Sequence, residues 1–280
     1  MPPIINYENK TVVVTGAATG VGAALVEKLR TAGAAQIVAL DVKPCGDGAD
    51  QTIAVDLSDP AAIDAAITRL PESVDVLFNN AGVAATQPLS VVMGVNVFAP
   101  RRLISSVQHR MPPGSAVVNT ASTAGSGYVE RLTPILQLLG LEDWDESLDW
   151  VSAHPELTQN AYGFSKECAQ VLTLLCAAPL SRRGIRVNSV CPGLIDTPLI
   201  VDFKASMGAP ILDWMISQSG QRKAAPSEVA DALAFLGSEA ATYITGTNLL
   251  VDNGFSAAIL TNQIDYTTMP AVDGLMNATP

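Results

Sequence analysis

The chain is short of the features that mark a nucleic-acid, membrane or disulfide-built protein. Basic residues number 16 against 27 acidic ones, a formal net charge of −11, whereas a nucleic-acid partner needs a basic footprint. No apolar run reaches the ~20 residues of a helical membrane span. Four cysteines (Cys45, Cys168, Cys176, Cys191) form no CxxC pair and stand at no metal-ligand spacing from the two histidines. Free thiols in a cytoplasmic protein, and no metal site, are the expectation. His109 and His154 have no apparent role and are expected at the surface. The opening Met1-Pro-Pro-Ile-Ile-Asn-Tyr-Glu-Asn-Lys10 has no basic n-region and no apolar h-region, so it does not read as a signal peptide.

What fills the 280 residues instead is apolar, 48% hydrophobic against 15% charged. A chain this long buries roughly three quarters of its unfolded surface and needs no covalent staples. Short β-branched runs alternate with Ala-rich helical stretches, the pattern of an α/β domain whose parallel, doubly wound sheet is covered on both faces. Seven strands are expected: Thr11–Thr15, Gln36–Asp41, Thr52–Val55, Val74–Asn79, Ser115–Ala121, Ile185–Cys191 and Asn248–Val251. Helices are expected over Val21–Ala32, Pro60 to Leu70, Leu89–Arg110, Ala161–Arg182 and Pro226–Gly237. The rhythm breaks over residues 125–160. There Ile135, Leu136, Leu138 and Leu139 suggest a short helix begun at Pro134, and Leu141, Trp144, Leu148 and Val151 a second. This reads as a helical insertion, because a structureless loop of that length is rare in a compact domain. Residues 194–225, with Pro198, Gly208, Pro210 and Gly220, suit a mobile cover over a site. The tail after Phe255 carries no assignable pattern, and the whole of 1–280 reads as one domain.

Gly16, Gly20 and Gly22 sit where the first strand turns into the first helix. A tight turn, close approach to a pyrophosphate and N–H groups converging on an anion all demand glycine there. Asp41 ends the second strand, where a carboxylate accepts both ribose hydroxyls of an adenosine and repels a 2′-phosphate, favouring NAD over NADP. Lys43 nearby softens that repulsion. Tyr162 and Lys166, four residues apart, share one helix face, a phenol and an ammonium placed to move a proton at an alcohol or carbonyl carbon. Ser122 closes the fifth strand at the sheet edge where open α/β folds bind ligands. A strand-end cap is its plain alternative, and Ser126, then Thr123, are weaker rivals.

Taken in order, Thr15-Gly-Ala-Ala-Thr-Gly20-Val-Gly22, Asn79-Asn-Ala-Gly82, Ser122 and Tyr162-Gly-Phe-Ser-Lys166 resemble the short-chain dehydrogenase/reductase family over residues 10–255. The resemblance implies a single Rossmann-fold domain that binds NAD and transfers a hydride between nicotinamide and a small-molecule alcohol or ketone. It implies that Tyr162 is the acid–base, that Ser122 orients the reacting oxygen, and that Lys166 favours the phenolate and bonds the nicotinamide ribose. Asn96 would support a water-linked proton path to Lys166; a helix Asn bonding its own backbone is the alternative. Cofactor contacts are implied at Gly16, Thr19, Gly20, Val21, Gly22, Asp41, Asp56, Leu57, Asn80, Ala81, Gly82, Tyr162, Lys166, Pro192, Gly193 and Thr197. Asp56, alone or with Asp59, could equally cap the Pro60 helix, and Thr197 could be a helix cap.

Within the family, the stretch between Gly82 and Asn96, the insertion and the ending Val251-Asp-Asn-Gly254 look most like bacterial 3α-hydroxysteroid dehydrogenase/carbonyl reductases. The apolar cover, with Leu194, Ile195, Leu199, Ile200, Phe203, Met207, Ile211, Trp214 and Met215, suits a bulky lipophilic substrate, or is plain packing. Family members usually form homodimers or homotetramers, here through Leu89–Arg110 and Ala161–Arg182, a contact the insertion is placed to cover or remodel. A cofactor-binding regulator, and an epimerase or dehydratase that retains NAD, are the other readings.

Overall fold

The β-branched runs do become seven strands: β1 (Thr11–Thr15), β2 (Gln36–Asp41), β3 (Gln51–Ala54), β4 (Val76–Asn79), β5 (Ala116–Thr120), β6 (Arg186–Pro192) and β7 (Asn248–Val251). In the computed structural model, which describes residues 4–270, they form one sheet in the order β3-β2-β1-β4-β5-β6-β7. Every neighbouring pair is parallel. The order reverses between β1 and β4, which opens a crevice beyond the C-terminal ends of the strands. Strand bounds differ from expectation by a residue or two. Val74 donates to the Arg110 carbonyl outside the sheet, and the first bond toward β1 is made by Asp75, which donates to the Thr11 carbonyl.

Successive strand residues feed opposite layers, as a period of two requires. Val13, Leu77, Val117 and Val187 join one buried cluster. Val12, Val14, Val76, Phe78, Val118 and Val190 join the other. The helices on the two faces are α1 (Gly20–Thr31), α2 (Pro60–Thr68), α3 (Leu89–Met93), α4 (Ala99–Val107), α5 (Leu132–Leu139), α6 (Trp144–Ala153), α7 (Pro155–Thr158), α8 (Ala161–Ser181), α9 (Ile200–Met207), α10 (Ala209–Gln218), α11 (Pro226–Gly237) and α12 (Phe255–Leu260).

The long helix expected over Leu89–Arg110 is interrupted. Between α3 and α4 lies a π turn, Gly94–Phe98, and a 3-10 turn, Gln108–Arg110, ends the segment. Pro100 explains the break, since it has no N–H to give the Asn96 carbonyl four residues back and its ring crowds that oxygen. Ala99 accordingly donates to the Gly94 carbonyl, one residue further than an α-helix would reach.

The insertion is helical as expected, but it begins with a 3-10 turn, Thr123–Val129, and α5 starts two residues before Pro134. It forms part of the main core and is no appendage. Ile135, Leu138, Leu139, Trp144 and Val151 are buried in the cluster that holds Phe98 and Phe164, and Trp144 meets the Phe98 ring edge-on at 5.4 Å. The Asp143 carboxylate caps α6 by accepting from the Glu146 N–H at 2.9 Å.

The cover is two helices, α9 and α10, on a stitched base: Ala224 donates to Leu194 at 2.8 Å and Asp196 to Ala224 at 2.9 Å. The unassigned tail supplies α12 and a 3-10 turn at Tyr266–Thr268. Its Phe255 and Ile264 pack on Trp214, whose indole N–H donates to the Thr268 hydroxyl at 3.1 Å. Residues 1–3, from the opening segment, and 271–280 lie outside the described residues. Among the described residues no helix is long and apolar enough to cross a membrane.

Because Trp144 fills core volume, Trp144→Ala should lower unfolding free energy by about 3–5 kcal/mol, read from guanidinium denaturation. A loss within about 0.5 kcal/mol, the range of ordinary surface substitutions, would show that the insertion folds apart from the core.

Candidate active site

The glycine turn is built by exclusion of side chains. Gly16 has φ +66° and Gly20 φ +56°, a region where a Cβ is strained. A Cβ on Gly16 would lie 2.6 Å from the Ala81 Cα, and one on Gly22 would lie 1.9 Å from the Gly16 carbonyl oxygen. The loop after β4 is tied to this turn. The Asn80 amide donates to the Thr15 and Gly16 carbonyls, each at 3.2 Å. The backbone N–H groups of Asn80 and Ala81 donate to the Thr15 hydroxyl, each at 3.0 Å. Thr15 was not anticipated in this role, although a hydroxyl ending an otherwise apolar strand is a visible signal.

Several observations fit the pyrophosphate of a dinucleotide. At the start of α1, Thr19 makes no side-chain cap and the first turn holds no acidic residue, so orphan N–H groups and the positive dipole end face the crevice. Val21 is buried behind them. Asp41 accepts from the Ala18 N–H and the Lys43 N–H, both at 2.9 Å, bracing the turn with spare lone pairs on both oxygens. Thr197 leans over the turn, its methyl 3.0 Å from where a Gly20 Cβ would sit. Leu199, not Thr197, holds the cap position of α9, so the cap alternative for Thr197 falls. The shared cap on α2 falls as well. Asp59 caps it alone through the Ala61 N–H at 2.9 Å, while Asp56 accepts from the Ser58 N–H and hydroxyl at 2.8 and 2.7 Å. Leu57 is buried. Pro192 ends β6, and a Cβ on Gly193 would press the Asp252 Cβ at 3.1 Å.

Asn160 starts α8, its side chain accepting from the Gly163 N–H at 2.9 Å, and the first turns present Tyr162 and Lys166. Ser122, 8% exposed, leaves β5 and caps the 3-10 turn through the Ala124 N–H at 3.1 Å. Its side chain also lies near enough to the Tyr162 phenol to lower the phenol's pKa. The cap therefore leaves Ser122 beside Tyr162. Ser126 is exposed and donates to the Thr123 carbonyl at 2.7 Å, which removes it as a rival.

The long sequence separation of Ser122 and Tyr162 is closed by packing. Gly125 lies against the α8 backbone so tightly that a Cβ would sit 2.5 Å from the Lys166 carbonyl. Gln170 donates its amide to the Ser122 carbonyl at 2.8 Å, and Arg131 pairs with the buried Glu167 at 2.5 Å. Sequence reading passed over all four residues, though two polar side chains on an apolar helix face were a usable signal.

Asn96 lies in the π turn and is buried. It donates to the Val83 carbonyl and the Ser165 hydroxyl, each at 3.0 Å, and accepts from the Val83 N–H at 2.9 Å. It thus joins the β4 loop to α8 and does not bond its own helix backbone. Gly82 passes between Asn96 and Lys166, a Cβ there being 3.4 Å from each side chain's polar atom.

Lys166 is buried and donates to the Thr120 carbonyl at 2.9 Å, with its ammonium 5.7 Å from the Tyr162 ring centroid. Burial pulls its pKa down to about 8, the Cys191 thiol beside it opposing. Burial pushes the Tyr162 phenol up to about 12, against the pull of the Ser122 side chain. Burial is the larger cause at both residues. His154 is partly exposed and stacked on Trp150 at 3.9 Å, and His109 is exposed. All four cysteines are free. Among the described residues no group of three or more His, Cys, Asp or Glu could hold a metal.

Residues 10–134 match the short chain dehydrogenase family, and residues 151–256 match the family described as enoyl-(acyl carrier protein) reductase. The chain is 32% identical over 250 residues to coniferyl-alcohol dehydrogenase of Pseudomonas sp. (strain HR199 / DSM 7063), covering 89% of this chain and 97% of that one. It is 30% identical over 263 residues to 3-alpha-hydroxysteroid dehydrogenase/carbonyl reductase of Comamonas testosteroni, covering 90% and 98%. The crystal structure of 3-alpha-hydroxysteroid dehydrogenase from Pseudomonas sp. B-0831 complexed with NADH matches with a TM-score of 0.74 at 29% identity, over 91% of this chain and 100% of that one.

Tyrosine ionises near pH 10 when unperturbed, so the raised phenol predicts no Tyr162 phenolate below about pH 10 without cofactor. The ultraviolet difference titration between wild type and Tyr162→Phe checks this. A phenolate component near neutral pH would show that Lys166 already polarises the ring.

Proposed function

Because this chain belongs to the short-chain dehydrogenase/reductase family, we propose that it is an NAD(H)-dependent dehydrogenase interconverting a lipophilic secondary alcohol and its ketone. The observation that carries the reading is the meeting of the Ser122 side chain, the Tyr162 phenol and the Lys166 ammonium at the sheet edge above the glycine turn. Bound nicotinamide supplies or accepts the hydride. In reduction Tyr162 gives its phenolic proton to the carbonyl oxygen, and in oxidation it takes the alcohol proton back. Ser122 donates to the same oxygen and fixes its direction. Lys166 adds positive potential beside the phenol and, with a pKa near 8, shares in returning the proton. Asn96 keeps the β4 loop at its distance from α8.

Asp41 supports NAD over NADP. Its carboxylate is fixed at the end of β2 by two backbone N–H groups, where a 2′-phosphate would meet a second negative charge. The lipophilic, ring-bearing part of the reading rests on the apolar cover and on relatives named for coniferyl alcohol, itself a primary alcohol, and a hydroxysteroid. The secondary-alcohol part rests on the hydroxysteroid relative. We further propose a cytoplasmic homodimer or homotetramer. Its contact would use the outer face of the insertion, because α5 now covers part of α8 and leaves Leu132 and Leu136 exposed.

Appearance of reduced nicotinamide with a panel of secondary alcohols tests the activity. Failure to oxidise or reduce any member with either cofactor would overturn the dehydrogenase reading. In the same assay NAD should exceed NADP by at least about 10-fold in kcat/KM, a difference of about 1.4 kcal/mol, and Asp41→Asn should narrow the gap. Equal use of both cofactors by the wild type would remove the role given to Asp41.

A further inference from the structure

The two halves of the cover are anchored unequally. In α10, Ile211, Leu212 and Trp214 are buried, whereas α9 has no buried residue. Ile200, Phe203 and Met207, spaced three and four apart, share one face of α9 and are half-buried, while Val201, Lys204, Ala205 and Ser206 on its other faces are exposed. Such an apolar stripe ordinarily ends in a core. These three side chains join none of the apolar clusters of the described residues. Phe203 instead meets the Tyr162 ring edge-on, with centroids 5.0 Å apart and planes at 71°. Next to it, Asp202 accepts a 3.0 Å hydrogen bond from the Thr86 hydroxyl in the loop after β4, on the opposite rim of the crevice. The helix is therefore held at the reacting phenol and at the far rim.

We propose that Phe203 is a specificity-determining residue: the apolar wall that presses a ring-bearing alcohol against Tyr162, at a depth set by the Thr86–Asp202 hydrogen bond. The inference rests on the dehydrogenase reading. A substrate oxygen bonded to Tyr162 and Ser122 leaves its carbon skeleton beside the phenol, and Phe203 occupies that side. A ring bound there would cover the half-buried α9 stripe and remove its apolar surface from water. A small acyclic alcohol leaves the stripe wet. Aromatic edges and faces also pack favourably on flat ring systems. Lys204, on the outer side of α9, adds no charge to this wall.

The test compares kcat/KM for cyclohexanol and for isopropanol in wild type, Phe203→Ala and Phe203→Leu. Phe203→Ala should lower the cyclohexanol-to-isopropanol ratio by at least about 10-fold, the scale of lost apolar pocket contacts, with the dissociation constant for NADH unchanged. Phe203→Leu, which restores an apolar wall, should recover most of that ratio. Thr86→Val, which lacks the donor, should raise KM for cyclohexanol more than for isopropanol. Equal loss on both alcohols in Phe203→Ala, or an equally weakened NADH complex, would make the residue merely structural and overturn the proposal. Wild type inactive on both would sink the dehydrogenase reading itself.

Discussion

A 3-10 turn pressed onto the backbone of α8 decides where the reacting groups meet. Gly125 is the contact point, and the absence of a side chain there lets the chain leaving β5 come within van der Waals reach of the Lys166 carbonyl. Gln170 and the Arg131–Glu167 pair fasten the same turn from either side. Only with that turn seated does the Ser122 hydroxyl reach the Tyr162 phenol. Burial of Arg131–Glu167 is no argument for stability, because desolvation offsets much of such a pair's attraction. Its value lies in position. Removing Arg131 would leave the buried Glu167 carboxylate unpaired on the residue after Lys166.

The cofactor half of the site follows the same logic. Gly16 and Gly22 make room for backbone rather than for ligand, since the closest atoms to their missing Cβ positions belong to Ala81 and to Gly16 itself. The outcome is a turn that leaves the N–H groups at the start of α1 uncapped. A protein with a net charge of −11 can therefore offer an anion a locally positive end. Asp41 braces the turn through two backbone N–H groups, so the cofactor choice proposed for it is coupled to loop geometry. A substitution there would be felt at both.

Much of this was legible in the sequence because the information is local. Each strand declares itself by a β-branched run, Gly16, Gly20, Gly22 and Asn80 follow closely on strand ends, and Tyr162 and Lys166 stand four apart on one helix. The interruption at Asn96 was also written locally, in Pro100, but the apolar period of Leu89–Arg110 masked it. Other features depend on contacts between distant segments. Nothing near Gly125 announces that it will meet Lys166, and nothing in the acidic run Asp143–Asp149 shows that Trp144 will fill a hole beside Phe98. Asp59, three residues after Asp56 and directly before Pro60, caps α2 alone, a choice that composition does not resolve. The tail around Phe255 looked patternless because its partner, Trp214, sits on the cover.

The central claim is that Ser122 and Tyr162 act on one oxygen as a single unit, held together by the seating of the Gly125 turn. A double-mutant cycle on kcat, using Ser122→Ala, Tyr162→Phe and the pair, tests this most directly. The account predicts that each single change costs on the order of 10²–10⁴-fold and that the double variant is no slower than the worse single one, as expected of residues that work together. Losses that multiply would show two independent groups and contradict it.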